Sequence, residues 1–234
     1  MKKNKMMRIA SVLLVAVLLT TSAISGTFAK YVTTESGSDS ARVAKWGVEI
    51  VADNFNLFTD KYETDDTNAT FTGSYSVESD DGDVFAPGTK GTFTEIAITG
   101  TPEVAVDVAV VATVTVSDNW IVDGDFYCPI VITVGDSAIC GLTFDNASDF
   151  ANAIEEAIEG YSEQYAPNQD LSAIDANFDI SWEWAFEDAD HVALDHGCTA
   201  GAQTDAKDTA LGDKAVAGDL AIAIGVEITV TQID

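Results

Sequence analysis

Basic residues are scarce in this chain: 11 Lys and Arg stand against 39 Asp and Glu in 234 residues, a formal net charge of −28. Binding to phosphate-rich partners needs clustered Lys and Arg, so nucleic acid and anionic lipid surfaces are disfavoured. Histidine is nearly missing. His191 and His196 are separated by Val-Ala-Leu-Asp, which does not match the His-Glu-x-x-His spacing that sets two zinc ligands on one helix face beside a general base. No serine sits in a Gly-x-Ser-x-Gly elbow and no Gly-rich phosphate loop follows a strand, so two common enzyme signatures are absent. Cysteine is limited to Cys128, Cys140 and Cys198, an odd number that cannot close a disulfide framework. Cys128 and Cys140 flank a hairpin predicted to turn at Gly135-Asp136; they are not directly opposite each other, and their pairing is left open. No apolar run reaches the roughly 20 residues of a membrane-spanning helix. A sortase motif and a C-terminal membrane segment are also lacking, which argues against cell-wall anchoring by that route.

What is present begins at the N-terminus. Lys2, Lys3, Lys5 and Arg8 precede the apolar stretch Ile9 to Leu19, the pattern of a cleaved export signal rather than an anchor. Thr27-Phe28-Ala29 sets small side chains at the two positions read by a signal peptidase, which places the cut between Ala29 and Lys30. Residues 1–29 are therefore expected to leave, the membrane being involved only during export. The four basic residues among them depart without any acid, leaving seven against 39 and a net charge of −32 over the remaining 205 residues. Such a charge favours solubility and resists edge-to-edge association. With 47% hydrophobic residues, the chain can still bury a core.

Period-two patterning dominates the rest. Val104, Val106, Val108, Val110, Ala112, Val114 and Val116 form one apolar face of a long strand, and Phe178, Ile180, Trp182, Trp184 and Phe186 form another. A third runs through Leu220, Ile222, Ile224, Val226, Ile228 and Val230. Shorter strands are expected at 41–52, with Ala44, Trp46, Val48 and Ile50 on one face, and at 71–77, 92–99 and 127–134. Pro87-Gly88 and Gly100-Thr101-Pro102 mark turns. One segment has helical spacing: Phe150, Ile154, Ile158, Tyr161 and Tyr165 recur on one side, with Glu155, Glu156, Glu159 and Glu163 mostly opposite and Asn146 or Ser148 as the cap. This spacing predicts a single amphipathic helix over about 148–165. The expected fold is all-β: a two-sheet antiparallel sandwich over 41–234, Greek-key or jelly-roll in connection, with that helix inserted.

Two acidic groupings contain residues of metal-ligand type. Asp80-Asp81-Gly82-Asp83 and Asp123-Gly124-Asp125 offer carboxylates in tight turns, the ligand type calcium takes, but neither completes a calcium loop. His191, His196 and Cys198, with Asp188, Asp190 and Asp195 around them, would make a mixed-ligand zinc site. Solvated turns and a polar loop explain both groupings better than a bound ion. Trp182 and Trp184 share a face with Phe178, Ile180 and Phe186, which favours a core stripe over a sugar-binding platform.

The export segment carries a resemblance. Ile24-Ser25-Gly26-Thr27-Phe28-Ala29-Lys30-Tyr31, followed by Ser40-Ala41-Arg42-Val43-Ala44-Lys45-Trp46-Gly47-Val48-Glu49-Ile50, resembles the TasA/camelysin family of Gram-positive bacteria. Ala86-Pro87-Gly88-Thr89 and the closing Val226 to Gln232 are similar too. The resemblance implies a jelly-roll subunit, released by the dedicated signal peptidase SipW, that self-associates into biofilm-matrix fibres at the cell surface or in the extracellular matrix. It implies that residues 30–40, led by Tyr31, Val32, Thr33 and Thr34, add a strand to the neighbouring subunit. Some camelysin-like members are described as metalloendopeptidases; this chain lacks a recognisable zinc motif, so a peptidase ranks behind a structural subunit and behind a monomeric cation-binding surface protein. No catalytic residues and no required cofactor are expected, with calcium or zinc at the acidic and histidine groupings as the alternative.

Overall fold

In the computed structural model the described residues are 42–51, 57–63, 75–93, 97–193, 197–215 and 219–233. The chain divides into two units, 1–43 and 44–234. The signal segment, the Ala29-Lys30 junction and the rest of 1–41 lie outside the described residues.

Among its described residues the second unit is all-β, with antiparallel pairing throughout its ladders and three short α-helices. Its two principal sheets make a sandwich. One has β4 (Thr89–Phe93), β9 (Ile130–Val134), β10 (Ser137–Cys140) and β12 (Ile180–Trp184) in the order β10-β9-β12-β4. The other has β6 (Val106–Val116), β11 (Glu163–Tyr165) and β13 (Ile222–Gln232) in the order β11-β6-β13. The alternating apolar faces meet in one core: Val106, Val108, Val110, Val114 and Val116 from one sheet, and Ile130, Ile132, Val134, Ile180, Trp182 and Trp184 from the other, are all buried. Burial of each large aliphatic or aromatic side chain contributes about 1.5–3 kcal/mol. Smaller two-stranded ladders join β1 (Val48–Val51) to β5 (Ala97–Gly100), β2 (Lys61–Glu63) to β3 (Tyr75–Glu78), and β7 (Ile121–Val122) to β8 (Asp125–Phe126).

The turns follow their chemistry. Asp123 and Gly124 both have positive φ, 57° and 99°, the paired left-handed conformation of a two-residue hairpin that Asp-Gly adopts readily. The β9–β10 hairpin turns at Gly135-Asp136 as its sequence predicts.

Several expectations need correction. The helix α1 spans Ala147–Glu159, capped by Asn146, whose side chain accepts from the Asp149 N–H at 2.9 Å. It stops six residues short of Tyr165: Gly160 ends it, and Glu163 to Tyr165 pair as β11 with Val108 to Val106. Tyr161 continues the apolar spacing only because it stacks on Phe178, 4.2 Å between ring centres. Two further helices occur, α2 (Asp188–Ala193) and α3 (Asp205–Lys214). α3 buries just Asp208 and Leu211, too few positions to leave a periodic signal. The strand expected over 92–99 is two, β4 and β5, which belong to different sheets. The first strand is short because Gly47, at φ 56°, breaks the extended run, leaving Trp46 41% exposed outside it. Phe186 lies beyond the end of β12 and is 65% exposed. The disulfide joins Cys140 to Cys198, while Cys128 is a free, buried thiol whose pKa burial pushes up to about 12.

Candidate functional site

The sheet β11-β6-β13 treats its two long edges differently. Ser117 N–H donates to the Ala221 carbonyl, and the register Ile222↔Val116 through Gln232↔Val106 then fixes the alternation of the ladder. Odd-numbered residues of β13 bond to β6, and the main-chain groups of Ile222, Ile224, Val226, Ile228 and Val230 point the other way. On β6 the even-numbered residues likewise face away from β13, and the N–H group of each from Val106 to Val114 has a partner. Val106 and Val108 pair with β11. Val110 exchanges hydrogen bonds with the Ser162 hydroxyl, its N–H donating at 2.9 Å. Ala112 N–H donates to Glu159 Oε1 at 3.4 Å and Val114 N–H to Glu155 Oε1 at 2.8 Å. The two glutamates, one helical turn apart on α1, thus each reach a sheet edge with one carboxylate oxygen, Glu155 half-buried and Glu159 still exposed.

The edge strand β13 differs. Among the described residues no strand pairs with its outer edge. Its inward face also thins along its length: Ile222 and Ile224 are buried, whereas Val226, Ile228 and Val230 are half-buried. An edge of eleven residues, unpaired among the described residues and with a half-buried apolar face toward its end, is a template for another strand.

A groove of about 740 Å³ opens at the start of β13. Leu220, Ile222 and Ile224 line one part, the loop from Ser79 to Pro87 another, and Trp120, Trp184, Asp208 and Leu211 complete it. The aromatic rings interlock, Trp120 with Trp184 at 6.2 Å and with Phe85 at 6.1 Å. Asp208, 8% exposed, is held by Tyr127, whose hydroxyl donates at 2.6 Å, and by Gln203, whose Nε2 donates at 2.8 Å. Burial first, and then the hydrogen bond to Asp208, raise the Tyr127 pKa far above the ordinary phenol value. Two buried polar atoms have no partner among the described residues: Trp184 Nε1 and Gln203 Oε1. Asp188 anchors the neighbouring loop, its carboxylate accepting from the Gly201 and Gln203 N–H groups at 2.7 and 3.1 Å.

The residues singled out by sequence fall variously. Ala29, Lys30, Tyr31, Val32, Thr33 and Thr34 lie outside the described residues. Asp80, Asp81 and Asp83 are exposed in the turn before β4, and the latter two line the groove. His191 belongs to α2, and His196 lies outside the described residues. The Cys198 sulfur is bonded to Cys140 and is not available as a thiolate ligand. Among the described residues, no group of three or more His, Cys, Asp or Glu is placed to hold a metal ion. Trp184 was legible as core; the acceptor edge, the groove and the Tyr127–Asp208–Gln203 cluster had no motif, because they depend on which strands become neighbours.

Comparison with protein-family models, with curated proteins and with solved structures found no match to this chain.

Proposed function

We propose that this chain is a secreted structural subunit of extracellular fibres, in which residues 30–40 of one copy pair with the outer edge of β13 on the next. The observation that carries this reading is the asymmetry of one sheet. The outward N–H groups of Val110, Ala112 and Val114 on β6 have side-chain acceptors and Val106 and Val108 pair with β11, while β13 presents its outer row unpaired among the described residues. A folded domain that elsewhere invests two glutamates in covering an edge keeps this one free for a partner. Each main-chain hydrogen bond formed there contributes about 0.5–1.5 kcal/mol, and Tyr31 and Val32 add apolar surface to the contact. Donor segment and acceptor edge lie on different parts of the chain, so addition is head-to-tail and generates a filament instead of a closed pair. The export pattern and the family resemblance point the same way.

Electron microscopy of the purified chain starting at Lys30, beside one starting at Ala41, tests this. Filaments are expected from the longer chain and not from the shorter. Filaments from both, or from neither, would remove strand donation from the account.

A further inference from the structure

The groove at the start of β13 is unusual in its unmet chemistry. Asp81, Asp83 and Asp208 line it, and among the described residues no Lys or Arg does. Trp184, 5% exposed, is one of its lining residues, and its buried indole N–H has no acceptor among the described residues. Burying a donor without a partner costs about 1–3 kcal/mol, and the exposed carboxylates of Asp81 and Asp83 add negative potential at the groove's rim. An occupant matching this groove carries a cation, an apolar or aromatic side chain beside it, and a carbonyl for the indole.

We propose that the groove is an electrostatic latch for the N-terminus left by export cleavage, Lys30 of a second copy, followed by Tyr31 and Val32. This rests on the strand-donation reading and adds to it the place where the donor begins. Lys30 as a terminal residue brings both its α-amino and its side-chain ammonium to the carboxylates. Tyr31 and Val32 follow onto Trp120, Trp184, Leu220 and Ile222, and a main-chain carbonyl of the segment accepts from Trp184 Nε1. Lys30 is the single basic residue of 30–40, a segment with two acids of its own, Glu35 and Asp39. The pairing therefore sets which end of the segment enters the groove, giving the added strand its direction and register.

Charge reversal at constant ionic strength separates this latch from general repulsion between acidic subunits. Filament growth by the chain starting at Lys30 is followed by light scattering and electron microscopy for Lys30→Glu, for Asp81→Lys with Asp83→Lys, and for all three together. Asp81 and Asp83 are exposed, so these variants keep the fold while Asp208 is left intact. Both reversals are expected to slow growth by about tenfold and the triple variant to recover most of the loss. Trp184→Phe, which keeps an aromatic ring and removes the N–H, is expected to speed filament loss on dilution. The acidic-to-basic pair is the decisive arm: it lowers the net negative charge, so faster growth there overturns the latch. Lys30→Glu growing at the parental rate overturns it too, and if removal of 30–40 still stops growth, strand donation survives without the latch. Growth after that removal overturns both.

Discussion

Tyr127 is the residue on which the groove floor depends. Its ring is buried, its hydroxyl donates to Asp208, and Lys207 Nζ lies 5.0 Å from the ring centre. The unfolded chain ionises this phenol near 10.0, the folded chain only well above it. A group whose folded pKa is raised contributes stability that is fully present below the unfolded value and is lost as pH climbs above it. Stability is therefore expected to fall as pH rises past 10. Tyr62, Tyr161 and Tyr165 are raised by burial as well and share in that fall. Tyr127→Phe removes a donor from a buried carboxylate and should cost about 1–3 kcal/mol at neutral pH, while making the alkaline decline shallower. Urea unfolding of both proteins between pH 7 and 11 measures both effects; an unchanged alkaline slope would show that Tyr127 keeps no proton advantage in the folded state.

At the scale of elements, α1 serves two surfaces. Phe150, Ile154 and Ile158 bury its apolar stripe, and Glu155 and Glu159 seal the β6 edge. Glu155→Ala leaves the Val114 N–H without its acceptor and is expected to cost about 1–3 kcal/mol; Glu159→Ala, with the longer bond, costs less. Glu155→Gln retains an acceptor oxygen and should recover much of the loss in thermal unfolding. The double alanine variant also uncovers a second sheet edge and is expected to associate irregularly in light scattering. The long alternating strands β6, β12 and β13 were legible because one face of each meets core and the other does not. The helix overran because Tyr161 and Tyr165 keep i, i+3 and i+4 spacing while serving a stack and a strand. α2 and α3 had no apolar stripe to read, and Cys198 found Cys140 across 58 residues through a chain path that local spacing does not encode. Edge capping by Glu155 and Glu159 was hidden for the same reason, since glutamates opposite an apolar stripe ordinarily face water.

For the whole molecule, charge and edge act against each other. On the proposed reading the cleaved subunit carries −32 and repels its copies, and the 11-residue edge of β13, unpaired among the described residues, attracts them. Repulsion acts over the Debye length, about 8–10 Å at 0.1–0.15 M salt, whereas strand pairing acts at contact. Filament growth should therefore accelerate when sodium chloride or calcium is added, as followed by light scattering; growth that slows with salt would mean that attraction between opposite charges dominates the encounter. The most direct measurement is amide hydrogen exchange on β13, comparing the chain starting at Lys30 in its assembled form with the chain starting at Ala41. The account predicts that the amides of Ile224, Val226, Ile228 and Val230 exchange about tenfold more slowly or better in the assembled form, since their N–H groups then have partners. Equal rates for these four amides in the two samples would contradict it.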